Sequence, residues 1–418
     1  MRYAMANELH ARPFPALGAP GRAVFLAVKP QDAANRDRDV DRAHLIALLD
    51  RYGVPHPQPG ATHYFGEIGR YRLKWEQHTE FVTYTVFMDG LSDRAFDPTD
   101  FQVFPTDWLR QMPGVRVTSA MIRIEDRADP TEIRRKLEDW MVPESLAASR
   151  VLDDDAVVAG DFRIDAAGHM RFAVFAGPET SGRRIGRVVQ RLCEIETYKS
   201  MSMLGLAMVR GMSDRMGEID SGLTALVQQM TANASPAEAM LHRLLSLSSE
   251  LESMAAASAF RFGATGAYEA IVQQRIEVLR ETRFEGRQTF AEFMMRRYDP
   301  AMRTVVANER RLATMSERAI RASELLRTQV DVERSAQNQA LLESMDRRAD
   351  AQLQLQKTVE GLSVVAISYY AVSLVGYLIY PLSKPMGLSK GLLMALATPP
   401  VVLLVWLMIR RIKAHMGH

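Results

Sequence analysis

A single cysteine, Cys193, stands among 418 residues. An intramolecular disulfide framework is therefore excluded, and a reducing compartment suits the chain. Acidic residues stop early, since no Asp or Glu follows Glu360. A charge excess of either sign is missing too: 52 basic residues face 50 acidic ones, a formal net charge of +2. Nothing in that balance points to nucleic acid as a partner. The first fifteen residues carry Arg2, Glu8, His10 and Arg12 and no apolar run. They are not expected to be a signal peptide, so the large N-terminal part is expected in the cytosol. P-loop, dinucleotide-binding, G-x-S-x-G and zinc-type patterns are absent as well, and no enzymatic activity is expected.

What the chain does have is a strongly apolar C-terminal end. Residues 361–381 hold no charged side chain, and a second uncharged run covers 391–409. At ~1.5 Å per helical residue, each spans a hydrocarbon core ~30 Å thick. Two such runs in tandem read as a transmembrane hairpin, with the lipid bilayer as partner. Tyr377, Tyr380 and Trp406 fit interfacial aromatic belts, and the basic tail at 410–418, with Arg410, Arg411 and Lys413, favours a cytoplasmic C-terminus. Two spans then place both termini inside, as in a multi-pass protein of a bacterial cytoplasmic (inner) membrane.

The body ahead of the hairpin reads as α+β and then all helix. Residues 1–180 are expected to form a cytosolic α/β domain. It has strands near 22–28, 71–88 and 115–124, a helix over 40–52, and a hairpin of 157–163 with 170–175 around Asp165–Gly168. Asp129-Pro130-Thr131-Glu132 opens a helix: Asp as N-cap, Pro at the first helical position. From Gly182 onward no strand is expected, and 181–300 reads as a helical bundle. Its helices cover 184–232, a stretch to about 259 opened by Ser235-Pro236-Ala237-Glu238, and 267–298 after a break at 260–266. The stalk, 301–360, contains neither Gly nor Pro and runs on into the first span. Unbroken to Tyr380, that helix has about 80 residues and a length of ~120 Å.

Two apolar seams run along the stalk. Leu312, Met315, Ala319, Ala322 and Leu326 recur at spacings of three and four; after a phase shift, Leu342, Met345, Ala349, Gln352, Gln356 and Val359 resume. The second phase continues into the membrane as Ser363, Ala366, Tyr370, Ser373, Tyr377 and Tyr380. Such stripes must pack against other helices, whether the chain's own or those of identical copies. Hydroxyls at Ser363, Tyr370, Ser373, Tyr377 and Tyr380 suit a helix interface or a wet lumen. The blander reading takes the tyrosines as belt residues and bonds the serines back to their own helix.

Elsewhere the chemical candidates are few. Glu76, His78 and Glu80 alternate, so on a strand they share one face and could hold a divalent metal ion, the only cofactor considered. The bland reading is a strand face with cross-strand ion pairs. His10 and Arg12, among prolines, could bind a phosphate or carboxylate, or could belong to a structural arm. Trp75 and Phe81 read as core, Asp153–Asp155 as a turn, and Cys193 as buried and inert.

The segments Asn7-Glu-Leu-His-Ala-Arg-Pro-Phe-Pro15, Trp75-Glu-Gln-His-Thr-Glu-Phe81 and Ile367-Ser-Tyr-Tyr370 with Gly376-Tyr-Leu378 resemble a membrane-anchored bacterial family, domain of unknown function 3422, along essentially the whole chain. That family brings no activity with it. The layout also resembles CorA-type magnesium transporters: a cytosolic α/β domain, a long stalk helix becoming the first span, a short outer loop and a basic tail. By that resemblance the chain forms a homo-oligomer, a pentamer, around a pore lined by the first span. The family's Gly-Met-Asn is replaced by Tyr377-Leu-Ile-Tyr-Pro381, and Lys384 and Lys390 stand at the outer mouth. Rings of those lysines would repel divalent cations, so magnesium selectivity is not expected. The expectation is a homo-oligomeric CorA-like channel or transporter for ions. The alternatives are a membrane-anchored scaffold or sensor without a pore and, less supported, a tethered enzyme using Glu76, His78 and Glu80.

Overall fold

The protein is described by a computed structural model over residues 14–30, 36–232, 236–379 and 389–416. The chain divides into two compact units, one drawn from residues 1–235 and 242–323, the other from 236–241 and 324–418.

The first unit is built on a nine-stranded sheet in the order β2-β3-β4-β1-β5-β8-β7-β6-β9. Its strands are β1 (Gly21–Lys29), β2 (His63–Ile68), β3 (Tyr71–Gln77), β4 (Val82–Asp89), β5 (Val115–Asp126), β6 (Ala147–Val151), β7 (Ala156–Gly160), β8 (Met170–Ala176) and β9 (Thr282–Arg283). All pairings are antiparallel except β5 with β8. β1 reads GRAVFLAVK, almost continuously apolar, as a strand must when both of its faces are covered. It lies between β4 and β5.

One face of the sheet carries the main core. Leu45, Leu48 and Leu49 come from α1 (Arg38–Tyr52), Trp108 from α2 (Thr106–Arg110), and Ile133 and Leu137 from α3 (Pro130–Trp140). They join Val24, Leu26, Trp75, Tyr84, Val86 and Phe175 of the sheet. Asp129 caps α3 as its sequence predicts, accepting from the Thr131 amide at 2.8 Å. The opposite face is crossed by α4 (Gly182–Ala232), which buries Val188, Val189, Leu192 and Ile195.

Two expectations are corrected past residue 182. No break occurs at 260–266: α5 runs unbroken over Ala237–Glu277. Phe262 and Thr265 are buried there, while Gly263 and Gly266 face open space. A glycine costs a helix only about 1 kcal/mol, and tertiary packing outweighs that. The helix expected over 267–298 is instead divided. α5 ends, β9 adds two residues to the sheet edge beside β6, and α6 (Phe290–Arg297) starts afresh with a capping box of Thr289 and Glu292. A strand of two residues leaves no periodic trace.

The long helix α7 (Asp299–Ile379) and the second apolar helix α8 (Lys390–Met416) complete the fold. The first stalk seam is buried within the chain, from Leu312 through Leu326. In the first unit, Arg311 and Arg318 of α7 grip Asp220 of α4 at 3.0 and 2.8 Å, beside buried Ile219 and Leu223.

Candidate functional site

Where α4 crosses β3 and β4, the covered sheet face turns polar. Alternation along β3 points Lys74 and Glu76 toward α4, and Trp75 into the opposite core. Lys74 Nζ lies 3.1 Å from Glu76 and donates to Gln190 Oε1 at 2.8 Å. Gln190 in turn donates to Glu194 at 2.8 Å, and Glu194 pairs with Arg275 of α5. This chain of alternating charge crosses from sheet to α4 to α5 with its members satisfied, as a low-dielectric interior requires. Cys193 sits buried among these groups, and burial pushes its thiol far above the ordinary range, which disfavours the thiolate.

The alternating triad does not share a strand face. β3 ends at Gln77, so of the three only Glu76 lies on the strand; His78 and Glu80 belong to the turn into β4. His78 stacks on Phe81 at 4.4 Å. Glu80 is 2 % exposed, pairs with Arg261 of α5 and accepts from Tyr268 Oη at 2.9 Å. Arg36 braces the same turn, donating to the carbonyls of His78 and Thr79 while pairing with Asp41 at 2.7 Å. Glu76 and Glu80 thus each hold a protein cation. Among the described residues, no three His, Cys, Asp or Glu side chains are grouped to hold a metal ion. A cavity of about 30 Å³ lies between Lys74, Glu76, His78, Phe81, Cys193 and Tyr198. It has room for a water or two and none for a larger ligand.

Sequence reasoning found Glu76, His78 and Glu80 but missed Lys74, Gln190, Glu194, Arg261 and Tyr268. Lys74 was legible by the same alternation. Arg261 was obscured because its segment reads as a helix break.

The second site is the apolar pair of helices. Two helices among the described residues are long and apolar enough to cross a membrane, and only 6 % of each apolar window is buried, unlike a soluble core helix. Within this unit α8 lies against one side of α7. Val364, Ser368, Val372, Val375 and Gly376 are covered or partly covered, and a Cβ at Gly376 would run into the sulfur of Met394. At 100° per residue, the stripe of Ser363, Ala366, Tyr370 and Tyr377 lies nearly opposite and stays uncovered. Ser363 Oγ donates to the Val359 carbonyl at 2.8 Å and Ser373 Oγ to that of Tyr369 at 2.9 Å. Ser368 differs: it is buried, and its hydroxyl has no hydrogen-bond partner among the described residues. Upstream the second seam is bare. Between Asp331 and Glu360 only Ser344 and Glu360 are even partly covered, and Leu342, Met345 and Val359 are each more than half exposed. His10, Arg12, Tyr380 and Lys384 lie outside the described residues, as does the Lys390 side chain.

The family described as "Protein of unknown function (DUF3422)" matches residues 1–416. No curated protein and no solved structure matches the chain.

Proposed function

We propose that this chain, which belongs to that family of unknown function, is a homo-oligomeric membrane protein of CorA-like layout. Its α7 helices associate in parallel, and their membrane segments surround a path for ions. One observation carries the reading. The first seam of α7 is buried by the chain itself, whereas the second, 342–359, is bare over about five helical turns and continues in phase into the uncovered stripe of the first span. A lone helix with that surface is marginal in water, and burial of each Leu or Met contributes roughly 1.5–3 kcal/mol. Identical copies supply the partner at a matching register, as in a parallel coiled coil. The basic residues Arg410 and Arg411 after the second span support an arrangement with that end in the cytoplasm.

A second reading, a membrane-anchored scaffold or sensor without a pore, is favoured by the serines. With Ser363 and Ser373 bonded to their own helix, the stripe needs no water. Conductance separates the two. Purified protein in planar bilayers is expected to pass ions, with an altered single-channel current in Tyr370→Phe. Oligomers that never conduct under any voltage or salt would leave the scaffold.

A further inference from the structure

We propose that Arg187, Arg191, Arg275 and Arg280, gathered where α4 meets the end of α5, form a binding site for a phosphate-class anion. Arg187 and Arg191 stand one turn apart on α4. Arg191 Nη1 donates to the carbonyl of Val278, just past the end of α5, at 3.0 Å. That bond brings Arg191 to the segment carrying Arg275 and Arg280. Among the described residues, two carboxylates pair with the four guanidinium groups: Glu194 with Arg275, and Asp153 with Arg280 at 2.8 Å. Four positive charges less two negative ones leave +2 at this junction.

Among the described residues, Arg187 and Arg191 form no ion pair, the carboxylate of Glu194 being held by Arg275. Arg187 packs against the ring of Phe14 at 5.4 Å, and its Nε is buried without a hydrogen-bond partner among the described residues. Burial first, then the nearby charges of Arg187 and Arg275 and lastly Arg280, hold Arg191 below the ordinary arginine range against the opposing charge of Glu194. Mutually repelling guanidinium groups with an idle buried donor are costly unless an anion fills the space between them. A phosphate suits it best. It brings a double negative charge, and its tetrahedral oxygens accept from several planar forks at once, where a carboxylate offers only two oxygens. The same chemistry is offered by a free phosphate or pyrophosphate and by a phospholipid headgroup.

The test uses the full chain in zwitterionic detergent, with thermal unfolding followed at matched ionic strength. Phosphate or pyrophosphate at 10 mM is expected to raise the midpoint by about 2–4 °C over chloride. If only nanodiscs containing phosphatidic acid give the shift, and zwitterionic ones do not, the anion is a headgroup and the site stands. Arg191→Gln should abolish the shift, as should Arg280→Gln, which alters a largely exposed side chain and keeps the fold. Arg184→Gln, whose partner is Asp155, should keep it. No shift with any of these anions, or an equal shift in Arg191→Gln and Arg280→Gln, would overturn the assignment. Neither result depends on whether the protein oligomerises or conducts.

Discussion

Glu80 is the residue at which the buried polar layer is most open to test, because two side chains of a helix distant in sequence converge on its carboxylate. Its carboxylate has Arg261 and Tyr268 as partners, and both groups of the ion pair are at least nine-tenths buried. Removing Arg261 strands a charge, so Arg261→Ala is expected to cost about 3–5 kcal/mol in chemical denaturation. Tyr268→Phe removes one donor to a charged acceptor and should cost only about 1.5–3 kcal/mol. His44 makes a prediction in pH. It is stacked on Trp108 and bonded to Tyr84 Oη at 3.1 Å, and burial lowers its pKa from the ordinary 6.5. The unfolded chain therefore binds the proton more tightly than the folded one. Stability from this group is full above about pH 6.5 and is lost as pH falls through the folded value. Thermal midpoints should drop between pH 7 and 5, and less steeply in His44→Gln. At this scale legibility followed local pattern: Lys74 and Glu76 share a face by simple alternation, whereas the pairing of Glu80 with a helix 181 residues away has no sequence signal.

Among the elements, glycine marks the tight contacts. Gly205 of α4 lies against Thr265 of α5, and Gly376 of α7 against Met394 of α8. Gly205→Val overfills a packed junction and should cost about 1–3 kcal/mol in thermal or denaturant unfolding. Gly376→Leu should loosen the hairpin and raise its protease sensitivity in detergent, while Gly361→Ala, facing open space, should not. The strands β1, β3, β4, β5, β7 and β8, with α1, α3 and α4, were readable because periodicity and caps are local; β2, β6 and β9 were not. The run 260–266 misled because two glycines outweighed, on paper, a burial that only the folded sheet reveals. Ser368 was likewise invisible: the stripe containing Ser363 and Ser373 stood out in sequence, yet the serine buried beneath α8 is another one.

For the whole molecule, the charge pattern and the seam speak to different halves of the proposal. With no Asp or Glu after Glu360, neither apolar helix nor the segment between them offers a carboxylate to a cation. In the proposed oligomer, unit positive charges about 10 Å apart at an effective dielectric near 20 would repel by about 1.7 kcal/mol per pair, reduced by salt. Expression in cells lacking their own magnesium uptake is therefore expected not to restore growth at low magnesium. Restored growth that survives Lys384→Ala with Lys390→Ala would refute that electrostatic argument. The two seams themselves were legible from spacing alone. Which of them the chain covers was not, since both have the same period, and only the position of α4 beside 311–318 separates them. The central claim is that the bare seam of α7 joins identical copies, and native mass spectrometry of the full chain released from detergent measures it directly. One closed oligomer is expected, five chains by the CorA-like layout, which Leu342→Glu breaks into smaller species while the sheet domain stays folded. Monomers alone across detergents and lipids, or an oligomer untouched by Leu342→Glu, would contradict it.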